Sequence, residues 1–144
     1  MASVRAKVFE YSIGLDPAGA FRIDDTAMPK LTDTWTPEHL VLAGLVRCSL
    51  TSLGYHARRE GITLAASSGS ASGRITKRAE DGRYAFVEID CELDVTLEPA
   101  PDDMEELLAK GERDCFIGAS LTVKPRYRWR VNGAVHSSGA IVSP

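Results

Sequence analysis

A thiol can attack an electrophile, pair with a second thiol or bind a metal, and this chain of 144 residues carries three: Cys48, Cys91 and Cys115. No two of them stand in a CxxC spacing, and His39, His56 and His136 do not cluster with them in sequence, so a zinc site is not expected. An odd number of cysteines in a reducing compartment argues against a structural disulfide framework. Cys48 lies in TPEHLVLAGLVRCSL, residues 36–50. It is either a small buried hydrophobe or a nucleophile, and the second role needs a nearby cation to lower its pKa. Arg47 precedes it, but adjacent helical residues point about 100° apart, so Arg47 reads as a solvated or interface residue. Cys115 falls in RDCFIGASL, where a helix hands over to a strand, and is either a buried thiol near a cap or a second redox group. Cys91 sits on the dry face of a strand and reads as core. Glu38 either favours the positive end of a helix or orients a cation beside a thiolate. His39 and His56 read as surface or satisfied side chains.

The elements that must position these residues can be read from pattern. Residues 2–11 alternate as a first strand, DPAG at 16–19 marks a turn, and AFRIDD continues into a second strand, giving an N-terminal hairpin. Residues 26–35 have no clear period and read as a loop. Thr36 and Pro37 are helix-starting residues and Gly61 is a helix-ending one. Between them, roughly 24 residues make about 36 Å of helix. From Leu40 to Val46 every residue is apolar or glycine. A helix apolar all round is buried all round, and one small domain hardly surrounds it, so a second subunit is expected to help. Residues 62–77 are bounded like a strand, and Asp81-Gly82 is the tip of a hairpin turn. In the next strand Val87, Ile89, Cys91, Leu93 and Val95 face one way and Phe86, Glu88, Asp90, Glu92 and Asp94 the other. DDMEELLAKGERD is a second helix with acidic residues first and basic ones last. SLTVKPRYRWRV is a final strand whose arginines form a solvated face, and the last dozen residues read as an extended tail. The order β-β-α-β-β-α-β predicts an α+β fold, and residues 1–144 read as a single domain.

Composition bounds the partners. Apolar residues make up 44%, charged residues 26%, and the net charge is −3. An ordinary globular balance with this charge gives no reason to expect nucleic acid. No run approaches the ~20 apolar residues of a membrane span. The alternating start, MASVRAKVFEYS, lacks the continuous apolar stretch of a signal peptide, so the expected compartment is the cytoplasm and no membrane partner is expected. SSGSASG is not a phosphate loop, since no helix pattern or GKS/GKT follows it.

Taken together, TPEHLVLAGLVRCSL, the helix ending at Gly61, and RDCFIGASL before the last long strand resemble the OsmC/Ohr family of bacterial thiol-dependent hydroperoxide reductases. The family pattern is [NTS]PE-x-L, a cysteine ten residues after that glutamate, and later C-x-x-[SG]-x-[SA]-L. Glu38 and Cys48 have that spacing, and Cys115 opens CFIGASL. The resemblance implies an intertwined homodimer with long central helices packed between sheets of both chains and active sites at the subunit interface. It implies that Cys48 attacks an organic hydroperoxide, becomes a sulfenic acid and releases an alcohol, and that Cys115 condenses with it to a disulfide. A dithiol reductant, a lipoyl group in the Ohr branch, would restore both thiols, with no metal or bound cofactor. Glu38 would hold an arginine that keeps Cys48 ionised. Arg22 and Arg5 are the candidates for that arginine, and Arg22 is favoured. The chain departs from the peroxidase pattern at Phe116, where proline is usual, at Ala119, where a polar residue is common, and at Arg47, where a small residue is common. Two functions therefore stand side by side: a peroxidase with an apolar pocket drawn from Trp35, Leu40, Leu45 and Phe116, and an OsmC-like dimeric binding or redox-sensing protein without turnover.

Overall fold

The computed structural model describes residues 6–137. The chain divides into two units, residues 1–36 and residues 37–144.

In the N-terminal unit, β1 (Gly14–Leu15), β2 (Phe21–Ile23) and β3 (Thr26–Ala27) form a small antiparallel meander in that order. The expected turn is there: Gly19 donates to the Asp16 carbonyl at 2.9 Å and takes a φ of +87°, open to glycine at little steric cost. The strand expected over 2–11 is not. Residues 6–11 have no regular structure, residues 2–5 lie outside the described residues, and β2 pairs with Gly14–Leu15 instead. Alternation along 2–11 has no core to sort it, since no residue from 6 to 36 is fully buried. Thr26–Ala27, expected in a loop, closes the meander.

The larger unit sets α1 (Pro37–Arg59) against a four-stranded sheet of β4 (Thr63–Lys77), β5 (Tyr84–Glu98), β6 (Arg126–Val131) and β7 (Ala134–Ser137), in that order. β4–β5 and β6–β7 are antiparallel, and β5–β6 is parallel. A parallel neighbour requires a crossover, and the short helices α2 (Met104–Arg113) and α3 (Phe116–Ser120) provide it. α1 stops at Gly61, whose φ is +74°. Ile62 N–H reaches the Ala57 carbonyl at 2.8 Å and Gly61 N–H the Arg58 carbonyl at 3.1 Å, the paired bonds of a Schellman ending. α2 starts at Asp103, whose carboxylate accepts from Glu106 N–H at 3.0 Å.

The alternation of β5 and β6 sorts as expected. Ile89, Cys91, Leu93, Val95 and Leu97 meet Tyr127, Trp129 and Val131 on the buried face, where Leu45, Leu53 and Ala57 of α1 and Leu107 and Leu108 of α2 pack on them. On the wet face Asp90 holds Arg126 in a two-pronged bond at 2.7 and 2.8 Å, and Glu88 holds Arg74 at 3.1 Å, so the arginine row is a solvated face. The last strand is shorter than expected, six residues from Arg126: Ser120 ends α3, and residues 121–125 form no regular structure. Part of the expected tail is β7. Asn132 and Gly133, both at positive φ, make the turn into it, and the Asn132 side chain bonds both backbone groups of Leu97 at 2.9 and 3.1 Å. Residues 138–144 of that tail lie outside the described residues. Among the described residues no helix is long and apolar enough to cross a membrane.

Candidate active site

Cys48 and Cys115 come together although they belong to distant parts of the sequence. α1 carries Cys48 at the middle of its length, and Cys115 is the N-cap residue of α3. The two thiols lie near enough for Cys115 to act on the Cys48 sulfur electrostatically. The backbone N–H groups of Ile117 and Phe116 also act on the Cys48 sulfur, so the start of α3 lies close to it. Cys115 Sγ takes the place usually filled by a serine or aspartate oxygen and accepts from Gly118 N–H at 3.4 Å.

The two sulfurs differ in access. Cys48 is half-buried, and Cys115 is fully buried. Burial pushes the Cys48 thiol above its ordinary value; the N–H groups of Ile117 and Phe116 oppose this, and the neighbouring Cys115 adds to it. A thiolate at Cys48 therefore needs a cation brought to it. Cys91 is also buried, and burial raises it to about 12, with Cys115 and Glu112 acting in the same direction. Such a thiol is inert, in agreement with its expected place in the core.

Glu38 lies exposed in the first turn of α1. Ten residues of helix separate it from Cys48, an axial rise of about 15 Å, so the two side chains of one chain do not meet. Arg22 lies on β2 of the N-terminal unit, where its Nε donates to Asp16 at 2.8 Å and, after the bond from Ala20 N–H, holds the Asp16 carboxyl below its usual range. Leu45, expected in a peroxide pocket, is a core residue with no exposed surface. Phe116 and Ile117 are exposed beside Cys48, and Val41 is exposed on α1. His56 is a satisfied histidine, its Nε2 lying 2.7 Å from Asp114. Among the described residues no cluster of histidine, cysteine and carboxylate suits a metal ion.

Two residues of the site carry no motif. Ser49 Oγ lies 3.0 Å from Tyr127 Oη and 3.5 Å from Cys115 Sγ, all three residues being buried. Tyr127 stacks on Trp129 with ring centroids 5.8 Å apart and planes 10° from parallel. The indole N–H of Trp129 in turn donates to Glu112 at 3.0 Å. The inward alternation of Tyr127 with Trp129 signalled burial of the ring, but not which hydroxyl it would meet. A groove of about 870 Å³ runs between α2 and β6–β7 over Trp129 and Tyr127, away from Cys48.

The fold recurs in solved structures. An OsmC-like protein from Mycoplasma pneumoniae shares it with a TM-score of 0.60 at 14% identity, over 87% of this chain and 99% of that one. The organic hydroperoxide resistance protein OhrB of Bacillus subtilis does so with a TM-score of 0.52 at 21% identity, over 82% of this chain and 94% of the other. An OsmC-like protein of unknown function from Vibrio cholerae has a TM-score of 0.56 at 16% identity, over 66% of this chain, which spans 62% of its length. No curated protein matches the sequence. The family model described as OsmC-like protein matches residues 30–130, a stretch that holds Glu38, Cys48 and Cys115, and the chain belongs to the OsmC/Ohr family.

Proposed function

We propose that this protein is a thiol-dependent peroxidase that reduces organic hydroperoxides to alcohols, with Cys48 attacking and Cys115 resolving. The observation that carries the reading is the closeness of a half-buried thiol to a buried one at the start of α3. The Cys48 thiolate attacks the terminal oxygen of ROOH, the O–O bond breaks, and RO⁻ leaves as ROH after taking a proton. Cys115 then attacks the sulfenic sulfur, hydroxide leaves as water with the thiol proton, and a disulfide joins the two. A dithiol reductant returns both thiols and becomes a disulfide itself. Exposed Phe116 and Ile117 beside Cys48 favour an alkyl group over bare hydrogen peroxide. The organic hydroperoxide resistance protein with the same fold supports the substrate class.

The active form is a homodimer. In the N-terminal unit Val8, Tyr11, Ile13 and Leu15 are each at least 63% exposed, and on α1 Val41 and Tyr55 are exposed, apolar side chains that a second chain would cover. With about 15 Å between Glu38 and Cys48 on one helix, Glu38 of one chain serves Cys48 of the other, orienting a cation there. Arg22 is the proposed cation, exchanging Asp16 for that site. A second reading, a dimeric binding or redox-sensing protein without turnover, is favoured by the upward push on the Cys48 pKa.

Titration with cumene hydroperoxide separates the two. The peroxidase loses two thiols per chain within minutes, forms cumyl alcohol in equal amount to the peroxide consumed, and repeats this when a dithiol is added. Thiols unchanged over the same interval, or a Cys48→Ser variant that consumes peroxide at the parent rate, would defeat the assignment.

A further inference from the structure

The proposed reaction leaves Ser49 and Tyr127 without a task, yet they form the tightest polar contact around either sulfur. Ser49 has one hydroxyl proton. If it points at Cys115 Sγ, 3.5 Å away, the Tyr127 hydroxyl must donate to Ser49 Oγ across their 3.0 Å contact. In that arrangement a chain runs from Tyr127 through Ser49 to Cys115, the Tyr127 hydroxyl acts on the same sulfur directly, and Gly118 N–H reaches it at 3.4 Å. A negative charge on a sulfur with no exposed surface is costly unless donors surround it. Burial pushes the Tyr127 phenol above its ordinary value, so it stays protonated and able to donate. The space is shaped for this arrangement: a Cβ at Gly118 would stand 3.3 Å from Tyr127 Oη and 3.5 Å from Cys115 Sγ.

We propose that Ser49 is the hydrogen-bond donor that receives Cys115 as a thiolate, with Tyr127 as the positioning residue behind it, so that Cys115 is the sulfur released when the Cys48–Cys115 disulfide is reduced. This deepens the peroxidase reading and rests on its disulfide. The incoming thiolate attacks Cys48 Sγ, the more accessible sulfur, and a new S–S bond forms there. The Cys48–Cys115 bond breaks, and its electron pair goes to Cys115, held by Ser49 and Gly118. The second thiol of the reductant gives its proton to Cys115, attacks its own sulfur in the mixed disulfide and frees Cys48. Exchange speeds up as the leaving thiolate is better stabilised, which is the effect the donors supply.

The test uses disulfide made with diamide, so exchange is read whether or not the chain consumes peroxide. The full-length parent, Ser49→Ala and Tyr127→Phe are reduced with dithiothreitol from pH 6 to 9. In parallel, 2-mercaptoethanol adducts are trapped with iodoacetamide and mapped by mass spectrometry. The parent carries the adduct on Cys48. Both variants are reduced about tenfold more slowly at pH 7, and their adduct spreads onto Cys115, which a purely structural loss would not produce. Tyr127→Phe keeps the ring stacked on Trp129 and carries the test if Ser49→Ala does not fold. Variants reduced within twofold of the parent, a parent adduct on Cys115, or no disulfide with diamide overturn the proposal. A normal diamide disulfide without peroxide consumption sinks the peroxidase reading alone.

Discussion

Gly69 gives the sharpest quantitative check on how α1 is seated. It lies on β4 directly opposite Leu93 of β5. A Cβ added there would stand 2.5 Å from Leu93 Cδ2, 2.9 Å from the Glu92 carbonyl oxygen and 3.4 Å from Val46 Cγ1 of α1. In an unstrained strand Gly→Ala stabilises by roughly 0.4–1 kcal/mol through the unfolded chain. Here the sign reverses. Leu93 is 2% exposed and cannot swing away, and the Glu92 carbonyl is fixed in the ladder, so the overpacking cost is about 1–3 kcal/mol. The net loss for Gly69→Ala is about 1–2 kcal/mol, a fall in Tm of roughly 3–6 °C for a chain of this size. Gly73→Ala is the control. Its Cβ would meet Phe86 Cε1 at 2.5 Å, but that is the far end of a half-buried ring that can turn, so less than half the loss is expected. Thermal unfolding of both variants decides the matter, with the rate of diamide-driven disulfide formation as a second readout of α1 position. A Gly69→Ala chain as stable as the parent would refute the close approach of β4, Leu93 and α1.

Other perturbations test separate parts of the structure. Iodoacetamide at pH 8 should modify Cys48 and leave Cys91 untouched, since Cys91 is buried and raised to about 12; peptide mapping that finds Cys91 modified first would remove it from the core. Leu53→Ala should cost about 2–5 kcal/mol in urea unfolding, because Leu53 is fully buried where Gly111 of α2 comes close enough for a Cβ to meet its Cα and Cδ1 at 3.4 Å. Asp114 is held down to about 2, first by Arg113 and then by His56, so its stabilising contribution is whole above the ordinary carboxylate pKa and is lost as pH falls through about 2. Asp114→Asn should therefore be less stable than the parent at pH 5, by a margin that solvent screening keeps small, with the gap closing toward pH 2; a gap that widens in acid contradicts the pairing.

What could be read from sequence was what depends on near neighbours. Pro37 and Gly61 bound α1 because helix ends are local chemistry, and the alternation of β5 and β6 was plain because each has one wet face and one dry face. Alternation misled over residues 6–11, where among the described residues of the N-terminal unit none is fully buried to give the pattern a meaning. α3 escaped notice because its first residue is capped by a thiol, which no capping preference marks. β7 was signalled by Asn132-Gly133, the commonest hairpin dipeptide, and was overlooked among small polar neighbours. The pairing of Cys48 with Cys115 was legible only through the family motifs. The contact of Ser49 with Tyr127 was not legible at all, since it depends on the parallel register that sets Tyr127 beside Cys91.

That register also explains why the two sulfurs behave differently. Cys115 is tied to the core through Ser49 on α1, which meets Tyr127 on β6, and through Tyr127 to Trp129 and Glu112. Ser49, Tyr127 and Trp129 are all buried, so moving Cys115 would mean disturbing both the sheet and the helix packed on it. Cys48 rests on the same helix one residue earlier, turned about 100° away from Ser49 toward the half-open side. Forming the disulfide therefore asks Cys48 and the first turn of α3 to adjust toward a fixed Cys115. In the proposed reaction, fixing Cys115 rather than Cys48 leaves the attacking sulfur open to a bulky peroxide and then to a reductant, while the resolving sulfur is held in the core.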